Sequence, residues 1–218
     1  MSEKNDFQEF YLKEDPWGVN KKEIRNYVFK KIFKKHFFKN MKLVEIGCGE
    51  GNFSVVINKL SENNFGVDIS LLAINRAKKL KLSNYTFEQS DLMNIDYSKF
   101  NMIICIEVLY YLSDEDKKIF FEKLKGPKRL IFSAPIIGSN NNREYFTDKG
   151  LKEIFEKYNY KIVEEKKLNF NGAISIFHRI FNKIFFNNIL SENIVSYKIL
   201  QIIPLKYIYQ KAYVLDLE

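Results

Sequence analysis

"LVEIGCGEGNF", Leu43 to Phe53, is the stretch on which the reading of this chain turns. A short apolar run broken by one acid, Glu45, passes straight into three glycines at alternate positions, Gly47, Gly49 and Gly51. That is the pattern of a buried strand ending in a bare turn. A backbone without Cβ atoms lets a ligand approach closely, and a helix that follows points its positive end at the same spot. The same glycines would also serve a tight strand-to-helix turn with no ligand.

Alternation continues on both sides. Upstream, "KKEIRNYVFKKIFKKHFF" (21–38) sets Ile24, Tyr27, Val28, Ile32 and Phe33 near helical spacing among lysines. His36 lies in that run and reads as a surface residue. Downstream, helix signals run from Asn52 to about Leu60. "NFGVDIS" (64–70) is a strand ending in an acid and a Ser cap, and 71–80 is a helix. "YTFEQSD" (85–91) is a third strand. "FNMIICIEV" (100–108) is a fourth, apolar enough to be covered on both faces. A helix over 114–124, a strand over 128–135 and a helix over 147–158 capped by Thr147 follow, then strands at 161–168 and 212–217. Strands alternating with helices pair in parallel through right-handed crossovers. The expectation is an α/β fold: a doubly wound, mostly parallel sheet of seven strands, in one domain over 1–218. Residues 1–40 form an N-terminal arm and basic helix, and 171–204 a helical insertion before the last strand.

Bulk properties agree with a packed globule. The chain has 218 residues, 46% hydrophobic and 16% aromatic, with a formal net charge of +8. A basic balance suits an anionic partner such as nucleic acid, a phosphorylated substrate or a membrane surface, but these lysines are spread along the whole chain. Cys48 and Cys105 stand in no metal-ligand or redox spacing and read as reduced packing residues of a cytoplasmic protein. "MSEKNDFQEF" has acids and no apolar stretch, unlike a secretory signal, and no run nears the ~18 apolar residues of a spanning helix.

The spacing of the glycines sharpens the reading. A dinucleotide fingerprint reads G-x-G-x-x-G, and the position of its third glycine is held here by Asn52. Glu45–Gly51 reads instead as an acid, one residue, then G-x-G-x-G. This resembles the first motif of the class I S-adenosylmethionine-dependent methyltransferases, and three more motifs follow in register. The resemblance is strong from Val44 to Leu112 and rests on topology elsewhere. It implies a Rossmann-like fold and S-adenosylmethionine as cofactor. Within "GVDIS" it implies Asp68 on the ribose hydroxyls with Ile69 beside it. Within "QSDLM" it implies Asp91 near the adenine amino group and Leu92 offering a backbone N–H. At the fourth strand's end, "CIEVLYYL", it implies Ile106 against the cofactor. Elementary electrostatics agrees: a carboxylate at Glu45 attracts the ammonium of an amino acid tail and would repel a pyrophosphate.

Methyl transfer is an in-line displacement, so the protein supplies position, desolvation and proton removal. The acceptor approaches over the fourth-strand loop, which makes Glu107, Tyr110 and Tyr111 candidates for catalysis. Glu107 would act as base or only line the pocket; the tyrosines would orient an acceptor or pack at a helix start. His178 is the other candidate base, with a structural role as its alternative.

The acceptor is less legible. The Asn/Asp-Pro-Pro-aromatic tetrad of nucleobase-amino methyltransferases is replaced by Ile106, Glu107, Val108 and Leu109, which disfavours nucleic acid. "DPWG" (15–18) with "EVLYYL" (107–112) resembles the nodulation-type methyltransferases that N-methylate an amino sugar, and related surface-glycan enzymes. Trp17 would then stack on a sugar, close the cofactor pocket, or anchor the arm. A sugar or glycan precursor methylated on O or N is the expectation. An RNA methyltransferase and a non-catalytic cofactor-binding subunit are the alternatives. The 171–204 insertion, with Phe177, Phe181, Phe185 and Phe186 turned inward, would cap the sheet, close over substrate, form a dimer face, or touch a membrane surface peripherally. The chain would accordingly act as monomer or homodimer.

Overall fold

The computed structural model describes residues 3–19, 23–124, 129–140, 143–170 and 189–217. Its centre is a sheet of β1 (Lys42–Ile46), β2 (Asn63–Asp68), β3 (Tyr85–Gln89), β4 (Met102–Ile106), β5 (Arg129–Pro135), β8 (Tyr160–Phe170) and β9 (Ile208–Leu217). The strand order is β3-β2-β1-β4-β5-β9-β8. Pairs among β1 to β5 are parallel, while β9 runs antiparallel to both β5 and β8. The doubly wound, mostly parallel seven-stranded sheet expected from the sequence is therefore present. The order turns back between β1 and β4, and in open α/β sheets a ligand crevice lies at the carboxyl ends of the strands beside such a switch.

Strict alternation along the central strands divides the core between two faces. Leu43, Met102, Ile104, Ile131, Ala212 and Val214 face α2 (Glu23–His36), whose Val28, Phe29, Ile32 and Phe33 are buried against them. Val44, Ile46, Ile103, Cys105, Leu130 and Phe132 face the other way. They meet Phe120 and Phe121 of α5 (Asp114–Lys123) and Leu151 and Phe155 of α6 (Asp148–Lys157). The covered apolar faces hold the strand ends, and thus the glycine turn, in fixed register. Cys48 and Cys105 are free thiols in the interior.

Several elements differ from the sequence reading. The helix expected over 52–60 is one turn, α3 (Ser54–Ile57), because Phe53 offers no side-chain cap and the bonds after it tighten to i−3 spacing at Lys59 and Leu60. α4 (Leu71–Lys79) is as expected, with the Ser70 hydroxyl accepting the Ala73 N–H. A hairpin of β6 (Ile137–Asn140) and β7 (Arg143–Thr147) occupies what read as a loop, and α1 (Glu3–Phe10) forms in the arm. His36 is buried rather than on the surface. Its Nε2 lies 2.7 Å from Glu164 and its Nδ1 3.3 Å from Arg129, two groups that neutralise the site its lysine neighbours made look exposed. Within the insertion, α7 (Ile189–Ile202) is helical as expected. His178, Phe177, Phe181, Phe185 and Phe186 lie outside the described residues. No helix among the described residues is long and apolar enough to cross a membrane.

The docking of α2 should dominate stability on its face. Phe33 is fully buried, and Phe33→Ala is expected to cost about 3–5 kcal/mol through lost burial and the cavity left behind. Urea unfolding checks this; a cost below about 1 kcal/mol would mean the helix is held by something else.

Candidate active site

A cavity of about 450 Å³ opens at the carboxyl ends of β1, β2 and β4, lined by the glycine turn, the acids that follow β2, β3 and β4, and the N-terminal arm. Of the residues singled out in the sequence, Trp17, Glu45, Gly47, Gly49, Asp68, Ile69, Asp91, Leu92, Ile106, Glu107, Tyr110 and Tyr111 all line it. Gly51 does not. It has φ +85°, and a Cβ built there would meet Leu80 Cδ1 at 2.6 Å, so this glycine lets the turn pack on α4 instead of facing a ligand.

Glu45 is 4% exposed at the end of β1. Its Oε2 accepts the Ser54 hydroxyl at 2.6 Å and the Tyr85 hydroxyl at 2.6 Å. Burial raises its pKa to about 7, against the lowering effect of those two bonds. Asp68 ends β2. Its Oδ2 accepts the Gly49 N–H and its Oδ1 the Ser70 N–H, each at 2.9 Å. Burial raises its pKa too, while the backbone donors favour the carboxylate. Gly49 is needed for close approach: φ is +56° and a Cβ there would stand 2.9 Å from the Tyr11 hydroxyl. Asp91 follows β3, and its Oδ1 accepts the Met93 N–H at 3.0 Å to cap a single 3₁₀ turn.

The far wall is aromatic. Tyr110 and Tyr111 sit on the 3₁₀ turn Leu109–Tyr111, ring centroids 4.3 Å apart, with the Tyr110 hydroxyl donating to that of Tyr111 at 3.2 Å. Tyr145 of the unanticipated hairpin adds a ring 5.5 Å from Tyr110. Phe7 and Trp17 of the arm reach Tyr111 at 5.2 and 5.9 Å. The arm is fastened by polar bonds. The Gln8 amide donates to the Ile69 carbonyl and accepts the Ser70 hydroxyl. Glu50 accepts the Asp15 N–H at 2.9 Å and Arg76 Nη1 at 2.5 Å.

The sequence reading missed two residues. Tyr11 stands over Gly49 and is 6% exposed. Arg25 of α2 lines the cavity at 3% exposure, and its Nε finds no hydrogen-bond partner among the described residues. Burial lowers its pKa, with Glu107, Tyr110 and Asp15 acting the other way. Helical spacing carried the signal: Arg25 shares the inward stripe of Val28, Phe29 and Ile32. Electrostatically the lining is the reverse of the chain. The protein carries +8, yet the described lining holds seven carboxylate side chains and one guanidinium.

The sheet order and the acid-and-glycine cavity at its switch point define a class I S-adenosylmethionine-dependent methyltransferase. The comparisons with known proteins carry the assignment further. A family model described as a methyltransferase domain matches residues 37–183, and the chain belongs to that family. Among characterised proteins, Nodulation protein S of Azorhizobium caulinodans is 26% identical over 100 residues, 43% of this chain and 48% of that one. The aligned stretch thus spans about half the length of that relative. Among solved structures, N-methyltransferase NodS from Bradyrhizobium japonicum, in complex with S-adenosylhomocysteine, aligns with a TM-score of 0.66 at 15% identity, over 97% of this chain and 96% of that one. Magnesium protoporphyrin IX methyltransferase from Synechocystis with bound S-adenosylmethionine gives 0.67 at 15% identity, over 100% and 98%. At these identities the structural likeness speaks for the fold.

Burial of Glu45 makes the stability of the fold depend on pH. Its folded pKa of about 7 stands above the ordinary 4.5, so between those values the folded state holds a proton that the unfolded state has lost. Its contribution to stability therefore falls as pH rises through that window. Ligand-free Glu45→Gln should gain on the unaltered protein between about pH 5 and pH 8 in urea unfolding. A difference that stays constant with pH would contradict this.

Proposed function

We propose that the protein transfers the methyl group of S-adenosylmethionine to an amine of a small acceptor, a sugar or glycan precursor. The observation that carries this reading is the acid-lined, aromatic-walled cavity in a basic chain. Carboxylates favour cationic guests and repel phosphates, and rings accept both sugar faces and ammonium groups. This is also the reason for preferring a small acceptor to RNA, whose backbone would meet like charge at the mouth. The likeness to Nodulation protein S and to the N-methyltransferase NodS supports nitrogen over oxygen.

The residues fit the cofactor, and the orphaned Nε of Arg25 is the clearest sign. Arg25 would hold the tail's carboxylate, and Glu45, directly or through water, its ammonium. Asp68 has both oxygens fixed by backbone donors and keeps lone pairs for the ribose hydroxyls. Asp91 and the Leu92 N–H would take the adenine edge, between Ile69 and Ile106. When bound, S-adenosylmethionine supplies an electrophilic methyl group with its own leaving group. The aromatic wall excludes water and orients the acceptor nitrogen. Glu107 would accept the proton that the acceptor nitrogen sheds. We take the chain as one methyltransferase domain and its setting as cytoplasmic, which suits its two free thiols.

Two experiments test the reading. Arg25→Ala should weaken S-adenosylhomocysteine binding by about 1.5–3 kcal/mol, the worth of a charged hydrogen bond. An unchanged affinity in calorimetry would remove Arg25 from the site. With labelled cofactor, glucosamine should be methylated and N-acetylglucosamine should not. The opposite preference would assign the chemistry to oxygen, and salt-sensitive methylation of RNA would replace the acceptor class altogether.

A further inference from the structure

Among the described non-glycine residues, Asp15, Lys81, Glu107 and Asn159 have positive φ. Lys81 and Asn159 follow the ends of α4 and α6, where a left-handed residue commonly closes a helix. Asp15 secures its own turn, its Oδ1 accepting the Val19 N–H at 2.6 Å. Glu107, at φ +60°, follows a strand and closes no helix. A residue with a long side chain held in this region carries a conformational cost, and such residues persist where their surroundings over-determine them.

For Glu107 part of that surrounding is Ser133. The Glu107 N–H donates to the Ser133 carbonyl at 3.1 Å, and the Ser133 hydroxyl donates to Glu107 Oε1 at 2.6 Å. Backbone and side chain are thus gripped by one residue of the neighbouring strand. Ser133 is the hydroxyl residue within "RLIFSAP", fully buried, paired with Ile106 on one side and Ala212 on the other. A buried hydroxyl among apolar neighbours is costly unless it finds a partner, and the Ser133 hydroxyl donates to this carboxylate.

We propose that Ser133 is a positioning residue for methyl transfer: it fixes Glu107 in the left-handed conformation that turns its carboxylate to the acceptor nitrogen. The inference rests on the reading of Glu107 as the group that faces the acceptor. Ser133 itself stands behind Glu107 and is not part of the cavity lining. It acts by denying Glu107 the alternative rotamers and backbone conformations open to a residue at the end of a strand.

The test uses the full chain with glucosamine as acceptor at saturating S-adenosylmethionine. Ser133→Val and Ser133→Thr are matched in size and differ in the hydroxyl; Ser133→Ala makes the same removal with less bulk if valine does not pack. Ser133→Val should lower kcat about tenfold while S-adenosylhomocysteine affinity holds and the chain stays folded, and Ser133→Thr should restore kcat. In a Glu107→Gln background, Ser133→Val or Ser133→Ala should add nothing, since the two residues act as a unit. Equal losses in the Val and Thr variants, an undiminished loss in the Glu107→Gln background, or an unchanged kcat would overturn the proposal alone. An unaltered protein that binds S-adenosylhomocysteine but methylates no amine would overturn the reading beneath it, and the proposal with it.

Discussion

The turn after β1 is held against the end of β2 by two hydrogen bonds, Cys48 N–H to the Val67 carbonyl at 3.0 Å and Gly49 N–H to Asp68 Oδ2 at 2.9 Å, of which the second meets a carboxyl group. Most of the cavity's geometry follows from them. The bonds exist because parallel pairing sets Glu45 beside Gly66 and Ile46 beside Val67, so both strands end at one level. Asp68 is then too buried to be solvated by bulk water, and the backbone donors of Gly49 and Ser70 take that part. A side chain at position 49 would disturb this arrangement twice, through its positive φ and through Tyr11. Bare backbone here serves the protein's own packing as well as any ligand. The three glycines open room for Val108, Tyr11 and Leu80 respectively.

A second layer is built on that turn by the N-terminal arm. Tyr11 lies on Gly49, Gln8 on the loop after Asp68, and Phe7 and Trp17 on Tyr111. Arg76 of α4 ties the arm to Glu50 by donating to that carboxylate and to the Lys13 carbonyl. Trp17, for which the sequence left a sugar platform, a pocket cover and an arm anchor open, packs with both Phe10 and Tyr111. It joins the arm to the wall on which the acceptor is proposed to lie.

The central strands were legible because they are covered on both faces, which leaves uninterrupted runs such as "MIICI" in β4. The acids that end β2 and β3 could be read for the same reason: they follow runs whose ends are unmistakable. What escaped depends on partners far away in the chain. His36 reads as exposed among lysines until Glu164 and Arg129 arrive from β8 and β5. Glu107 could be named as a candidate, but its left-handed backbone is fixed by a residue on the next strand, which no local pattern reveals. Arg25 was within reach, since helical spacing places it on the inward stripe, but a lone arginine in a lysine-rich helix draws the eye outward. The hairpin at Ile137–Thr147 has short strands and weak alternation, and it reads as loop until the Tyr145 ring meets Tyr110.

The acid-and-glycine cavity is built for a cationic amino acid nucleoside and not for a dinucleotide. Calorimetric titration of the unaltered chain with S-adenosylhomocysteine and, separately, with NAD tests it most directly. S-adenosylhomocysteine should bind in the micromolar range, about −8 kcal/mol, and NAD should give no heat. Binding of NAD with no response to S-adenosylhomocysteine would contradict it.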